Sequence, residues 1–385
     1  MNLLRDRRWI WGLLALANLV ALYLQWTKGG WLYRADGSLY AHDFISFWAA
    51  GQRALAGEGS LVYDRALQIA FQTALIDAPK PVDYGFFYPP HFLFLTLPFA
   101  KLGLVQAYLA FLAAGVALYA MALKLVARSW SEALLAAVAG GGAYICMLWV
   151  QNGFLTGALI VAGLVLVPSR PALAGVLLGL LTVKPQLGLL IPLALAAGGY
   201  WRAFGWAAGT CVFLALAAEL AFGPGIWSAF ILSWGQTADF LQAGTLWFKM
   251  QTLFALTLPI FGKAGAYAVQ AIVALGVAWI IIGLWRNPSV SHWLKCAAVI
   301  AGSLLMSPYL FPYDAVPLTA AALMLLRENP RLPLPEQALL FAACILPGLT
   351  DFLLSAAVPI AAAAVLILIL RQVDRSQNAN ELNPT

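Results

Sequence analysis

Long apolar runs without charged residues constrain this chain more than any other feature. The run at 9–26, WIWGLLALANLVALYLQW, holds no charged side chain, and about 20 apolar residues are enough for a helix to cross the hydrocarbon core of a membrane. With 63% hydrophobic and 10% charged residues, the chain lacks the polar side chains that a water-soluble surface needs. The composition therefore predicts an all-α polytopic membrane protein whose first span is retained.

Twelve segments are predicted to cross the membrane. They lie near 9–26, 104–126, 133–150, 153–168, 171–183, 186–199, 203–222, 265–285, 293–306, 314–327, 337–350 and 353–370. Two further apolar pieces, 91–103 and 250–262, are too short for straight spans and are predicted to be re-entrant or interfacial helices. We therefore expect one transmembrane domain over 1–370, followed by a polar, disordered cytoplasmic tail over 371–385.

The positions of Lys and Arg predict which side of the membrane each loop occupies. Cytoplasmic loops are enriched in both residues. This rule is satisfied best when both termini are cytoplasmic, neither short piece crosses, and the loops 27–90 and 223–249 are extracytoplasmic. If 91–103 crossed by itself, Arg128 and Arg202 would lie outside. The net charge of +6 is explained by this bias, without a nucleic-acid partner, and we expect the chain in the cell inner or plasma membrane.

The predicted outer loops carry apolar residues at helical spacing. The stretches 44–55, 65–76 and 227–241 each place such residues on one side of a helix. Amphipathic helices of this kind lie on a membrane surface instead of crossing it. The pattern predicts an outer vestibule covered by helices at the depth of the lipid headgroups.

Short polar motifs collect on the same predicted side. They are HDF, YPPH, QNG, KPQ, WFKMQ and SPYLFPYD. Any chemistry is therefore expected outside the cytoplasm. The candidate site residues in these motifs are His42, Asp43, Tyr88, His91, Gln151, Asn152, Lys184, Gln186, Lys249, Gln251, Tyr309, Tyr313 and Asp314.

The order of the motifs resembles glycosyltransferase family 87. An N-terminal span is followed by DF..FW.AG.....G...LVYD, by YPP before FLFLTLPFAKLG, by QNG and KPQLGLL, and by SPY...YD. The resemblance implies a GT-C membrane fold and the transfer of a sugar, best known as mannose, from a polyprenyl-phosphate donor with inversion. It also implies an acidic base in the first outer loop, which here is Asp43, and a lipid or glycan acceptor.

The residues support these roles but leave alternatives open. A carboxylate within reach of the acceptor hydroxyl can act as general base, yet Asp43 is also placed to cap the helix that follows it. Lys184 interrupts an apolar run, where a cation can stabilise a departing lipid phosphate, or can instead extend its ammonium to the membrane interface. Lys249 and Gln251 are weaker alternatives for donor binding.

The remaining candidates divide in the same way between a pocket and a purely structural role. Tyr88 and His91 can line the pocket beside two prolines that set the entry of the next helix. Gln151 and Asn152 can bind sugar hydroxyls or form a plain turn. Asp314 can bind substrate or cap the segment after it.

The sequence is also compatible with functional classes other than an enzyme. The sequence has no metal-ligating spacing, no DXD pair and no Gly-rich phosphate loop, so we expect no metal cofactor and no nucleotide substrate. A transporter or lipid flippase also fits many spans broken by proline, and a non-catalytic membrane partner is the third alternative. The long polar loop after the first span favours the enzyme.

Overall fold

The computed structural model is built from α-helices and short 3-10 turns in the residues that it describes, which are 7–40, 42–242, 249–349 and 354–382. Side chains are described for the same residues except 236–242, 354 and 379–382. The helices of these segments are α1 Arg8–Thr27, α2 Phe44–Leu55, α3 Arg65–Leu75, α4 Leu93–Ala100, α5 Leu104–Lys124, α6 Trp130–Ala139, α7 Gly141–Trp149, α8 Gly153–Leu166, α9 Pro171–Leu180, α10 Ile191–Ala197, α11 Trp201–Phe222, α12 Ile226–Gln242, α13 Leu253–Arg286, α14 His292–Met306, α15 Leu318–Glu328, α16 Leu334–Ile345 and α17 Ala357–Leu382.

Five helices of the described segments, α1, α5, α11, α13 and α17, are long and apolar enough to cross a membrane. Helices α6 and α7 pass the same test together but bend by 69° at Gly140, so they count at most as a sixth span. The other predicted spans correspond to helices of 7 to 15 residues. The structure fits an all-α, multi-pass membrane protein, but it does not confirm twelve spans.

Proline and glycine explain where the boundaries differ from the prediction. Helix α9 ends at Leu180, and two 3-10 turns, Leu181–Val183 and Pro185–Leu187, replace the predicted start of the next span. Proline has no N–H to continue a helix and clashes with the preceding turn. The predicted pieces 250–262 and 265–285 belong to one helix, α13, which is kinked at Gly262 with φ of +65°, a left-handed conformation that glycine adopts without strain.

Buried apolar side chains form three clusters in the described residues, of which the smallest joins Ile45 and Val82. The largest one joins α1, α5–α11 and α13–α17. The second one, called here the aromatic cluster, contains Phe44, Phe47, Tyr88, Phe92 and Phe111. Within it, the rings of Tyr88 and Phe92 stack with centroids 4.3 Å apart, and such pairs add to the energy gained from burial alone. The aromatic cluster fixes the first outer loop to the helix bundle.

Helix α2 is packed inside the protein, so the prediction that it lies on the membrane surface is wrong. Nine of its twelve residues are buried, and it packs against α4 and α5. A Cβ at Gly51 would lie 2.8 Å from Thr96 O, so the close contact with α4 requires glycine. Arg53 is buried as well. Its charge is compensated there, because it donates to Gln68 Oε1 at 3.1 Å and pairs with Glu58 at 2.8 Å.

Helix α3 turns polar side chains inward and apolar ones outward. Gln68 and Gln72 are buried, whereas Leu67 is exposed. Gln72 Nε2 donates to Tyr84 O at 2.7 Å, which fixes α3 to the chain that follows it. An outward apolar face is what a helix on a lipid surface presents, so the surface position predicted for α3 remains a prediction. In α12, Phe230 is buried while its neighbour Ile231 is exposed.

The predicted disordered tail is helical in the residues that the structure describes. Helix α17 continues through 371–378 and ends at Leu382. Arg375 forms an ion pair with Glu336 of α16, and Gln372 Oε1 accepts from Asn329 Nδ2 at 2.9 Å. The polar side chains of Gln372 and Arg375 therefore make contacts with the 329–336 region.

Cysteine labelling tests the predicted sidedness of the loops. Ser60 and Ser131 are both exposed, and the charge bias places the first outside and the second inside. In a chain whose four native cysteines are replaced, we expect an impermeant thiol reagent to label Ser60→Cys but not Ser131→Cys in intact cells. Permeabilised cells, in which both positions react, are the control. Labelling of Ser131→Cys alone in intact cells would reverse the topology.

Candidate active site

The side chain of Asp43 is not used to cap a helix. Asp43 stands at the N-cap position of α2, but its side chain makes no capping hydrogen bond. Its Oδ2 instead accepts from Gln151 Nε2 at 2.9 Å. Asp64 shows the contrasting case in the same loop, because its Oδ1 accepts from Leu67 N at 3.0 Å and caps α3. The capping alternative for Asp43 is therefore wrong.

The surroundings of Asp43 make its carboxylate a stronger proton acceptor than an ordinary aspartate. Burial raises its pKa above the usual range, and the Gln151 hydrogen bond, Lys249 and Lys184 oppose that rise in decreasing order. Burial disfavours the charged form, whereas donors and nearby cations favour it. A half-buried carboxylate with a raised pKa is the type of group that serves as a general base.

Gln151 connects Asp43 to the turn between α7 and α8. Its Oε1 accepts from Tyr88 OH at 3.3 Å and from Asn152 N at 3.2 Å. The turn is tight because Val150 is left-handed, with φ of +50°, and a Cβ at Gly153 would lie 2.1 Å from Tyr313 O. The QNG motif thus forms a turn and also supplies a polar side chain to the site.

Lys184 is buried and forms an ion pair with Asp314. The side chains are 3% and 0% exposed. The Lys184 ammonium also donates to Asn152 Oδ1 at 3.3 Å and lies 4.5 Å from the centroid of the Tyr313 ring. Asp314 Oδ2 accepts from Phe311 N at 2.9 Å, which closes the 3-10 turn Pro312–Ala315. Lys184 therefore points into the protein, and the interfacial alternative is wrong, while Asp314 both closes a turn and neutralises a cation.

Lys249 and Gln251 are close in sequence but differ in environment. Lys249 is exposed, and its ammonium lies 5.9 Å from the centroid of the Trp149 ring. Gln251 is fully buried; its N–H donates to Leu310 O at 2.8 Å, and its Oε1 accepts from Val358 N at 3.4 Å. Gln251 thus holds the chain beside Lys249 in place, whereas Lys249 remains accessible.

The two candidate histidines flank the site without bonding to Asp43. His42 stacks on Tyr40 with centroids 4.5 Å apart, and burial, with a smaller contribution from Arg34, lowers its pKa to about 4. His42 is therefore neutral near pH 7. His91 Nε2 lies 3.3 Å from Thr182 Oγ1, two residues before Lys184.

Gln186 and Tyr309 also stand outside the hydrogen-bonded group that joins Asp43, Gln151, Asn152, Lys184 and Asp314. Gln186 is half-buried in the 3-10 turn that follows Lys184. Tyr309 is half-buried and meets the Phe311 ring edge-on at 5.3 Å. Neither side chain is joined to that group by a hydrogen bond among the described residues.

Three buried polar atoms near the site have no hydrogen-bond partner in the described part of the chain. They are His42 Nε2, His91 Nδ1 and Asn152 Nδ2. Buried polar groups are normally satisfied, because an unmade hydrogen bond costs free energy. Their hydrogen-bonding capacity is therefore unused within the described residues. The described residues contain no group of three or more His, Cys, Asp or Glu side chains that could hold a metal ion.

Sequence reasoning missed two side chains that belong to this region. Trp149 contacts Lys249 and meets the Tyr313 ring at 6.0 Å, and Thr182 contacts His91. Trp149 lies two residues before QNG and Thr182 two before KPQ, so proximity to these motifs was the available signal. Both residues lie in apolar runs, which otherwise predict only membrane-spanning helices.

The family model of glycosyltransferase family 87 matches residues 86–308, more than half of the 385 residues. The chain belongs to glycosyltransferase family 87. It is therefore a membrane glycosyltransferase, which decides against the transporter and the non-catalytic partner. Comparisons with curated proteins and with solved structures give no match. The matched residues of this family 87 member include Tyr88, Gln151, Lys184 and Lys249 but not Asp43, whose assignment depends on the geometry above.

The Gln151 hydrogen bond should set the lower pH limit of activity. A general base acts only when ionised, so the rate falls as pH drops through its pKa. Gln151→Met removes a donor that lowers the pKa of Asp43, and the pKa should rise further. We expect the acid limb of kcat/KM to move to higher pH. Gln186→Met, which loses no bond to Asp43, should leave the limb in place, and an unmoved limb in Gln151→Met would contradict this assignment.

Proposed function

We propose that this glycosyltransferase transfers a sugar, with mannose as the first candidate, from a polyprenyl-phosphate donor to a lipid or glycan acceptor with inversion at the anomeric carbon. The observation that carries the proposal is the Asp43 carboxylate, which faces Gln151 instead of its own helix. The positive charges of Lys249 and Lys184 both lower the pKa of this carboxylate. A base and cations close together are what a reaction with an anionic leaving group requires.

Each bond change has a matching group in this arrangement. The acceptor hydroxyl gives its proton to Asp43 as its oxygen attacks the anomeric carbon of the sugar. The bond from that carbon to the phosphate oxygen breaks, and its electron pair remains on the departing polyprenyl phosphate. Cations stabilise the charge that develops on this oxygen. The lipid chain of the donor remains in the membrane throughout.

The expected location follows the same chemistry. A donor held in the bilayer presents its phosphate at headgroup depth, and the loop 27–90 that carries Asp43 follows the first membrane-capable helix, α1. The charge bias puts this loop outside the cytoplasm. We therefore propose an extracytoplasmic site in the cell inner or plasma membrane, without a metal cofactor and with a GT-C-like fold.

A reconstituted assay tests the proposal. The purified full-length chain in lipid nanodiscs receives a polyprenyl-phosphate donor with a labelled sugar and a total lipid extract as the source of acceptor. We expect labelled glycolipid with the anomeric configuration opposite to that of the donor. A labelled product with the donor's configuration would exclude single-step inversion. Transfer only from a sugar nucleotide would exclude the lipid-phosphate donor.

A further inference from the structure

The two lysines that act on Asp43 differ in whether they are free to bind an anion. The ammonium of Lys249 contacts the Trp149 ring, and that of Lys184 contacts the Tyr313 ring. These two rings contact each other. Lys184 is buried, whereas Lys249 is exposed. The sequence alone favours Lys184 for the donor phosphate, because a lysine within an apolar run is costly unless it is needed.

The ion pair with Asp314 makes Lys184 a poor ligand for the donor phosphate. Its ammonium already has Asp314 and Asn152 as partners. A phosphate would have to compete with a carboxylate that is 0% exposed, and separating the pair would leave that charge buried without compensation, which is strongly unfavourable. Lys184 is better described as a positioning residue, which holds Asp314 and the Asn152 side chain.

Lys249 meets the requirements that Lys184 fails. It forms no ion pair among the described residues. Its backbone position is fixed two residues later, where Gln251 N donates to Leu310 O at 2.8 Å. Of the two lysines, it has the larger effect on the pKa of Asp43, so its charge is the more strongly felt at the carboxylate. A lysine ammonium carries three donors and a full positive charge, which makes it a good ligand for a phosphate.

We infer that Lys249, with Trp149 as the ring beneath its ammonium, binds the phosphate of the isoprenyl-phosphate donor, while Lys184 only positions the site. This inference rests on the proposed function. In an inverting transfer the base and the phosphate lie on opposite sides of one sugar ring. The group that holds the phosphate must therefore be close to Asp43 but not be paired with another carboxylate, and Lys249 has no such pair among the described residues.

Binding of farnesyl phosphate to the purified full-length chain tests the inference without catalysis. Farnesol is the probe without phosphate. Lys249→Gln should weaken farnesyl phosphate binding about 10- to 100-fold, the usual loss for one hydrogen bond to a charged group, and should leave farnesol binding unchanged. Lys263→Gln is the control, because Lys263 is another exposed lysine and has no contact with Trp149 or Asp43 among the described residues, and it should bind as the wild type does.

A second measurement needs no variant. Farnesyl phosphate should protect Lys249 from acylation, as read by mass spectrometry, while Lys263 continues to react. Three results would overturn the inference: wild-type binding of Lys249→Gln, no protection of Lys249, or equal protection by inorganic phosphate. Failure of the proposed function looks different, because the wild type would then transfer no sugar from the lipid donor even though Lys249 is protected.

Discussion

Asp43→Asn is expected to reduce sugar transfer by about 10²–10⁴-fold, the usual contribution of a general base. Asparagine has nearly the same shape, and its amide oxygen can accept the Gln151 Nε2 hydrogen bond that Asp43 Oδ2 accepts at 2.9 Å. It cannot take a proton from the acceptor hydroxyl. The variant should fold and bind farnesyl phosphate, so the loss should appear in kcat. Asp43→Glu should also be poor, because one extra methylene moves the carboxylate.

Asp64→Asn is the matched control for this prediction. Asp64 lies in the same loop and caps α3 through Leu67 N at 3.0 Å, and asparagine caps nearly as well as aspartate. Asp64→Asn should therefore retain transfer, and Asp64→Ala should lose only about 1 kcal/mol of stability. Transfer by Asp43→Asn at the rate of Asp64→Asn would remove Asp43 from the mechanism.

Lys184→Met is expected to destabilise the protein by about 3–5 kcal/mol, the usual cost of removing one partner of a buried ion pair. The Asp314 carboxylate would keep the Phe311 N–H as a donor but would lose its counter-ion. Asn152 would lose the donor to its Oδ1. Unfolding in mixed micelles with increasing SDS measures the loss. Lys263→Met, at an exposed site, should be nearly neutral.

A double variant separates the lost charge balance from the lost side chain. In Lys184→Met with Asp314→Asn, the buried negative charge is gone, and the asparagine oxygen can still accept from Phe311 N. Since a buried pair replaced as a whole is often close to neutral, the double variant should regain most of the stability lost in Lys184→Met. Additive losses from the two single changes would show that the pair is not coupled in the folded state.

Much of the site was predictable as a set of residues but not as an arrangement. The motif order indicated the family, and it brought Asp43, Gln151, Lys184 and Asp314 forward as candidates. It did not indicate that Asp43 bonds to Gln151, which is 108 positions away, or that Lys184 pairs with Asp314, 130 positions away. The pairing of Lys184 with Asp314 is the reason for proposing Lys249 instead of Lys184 as the phosphate ligand.

The sequence by itself determined the membrane class, the helical composition and the family, because hydropathy and short motifs depend on residues that are close along the chain. The tertiary structure alone decided that α2 is buried, that α3 turns Gln68 inward, and which lysine stays accessible beside Asp43. A polar side chain is stable in the interior only where another element supplies a partner. Which element does so depends on how the helices bend and pack, and periodicity within a single helix carries no information about that.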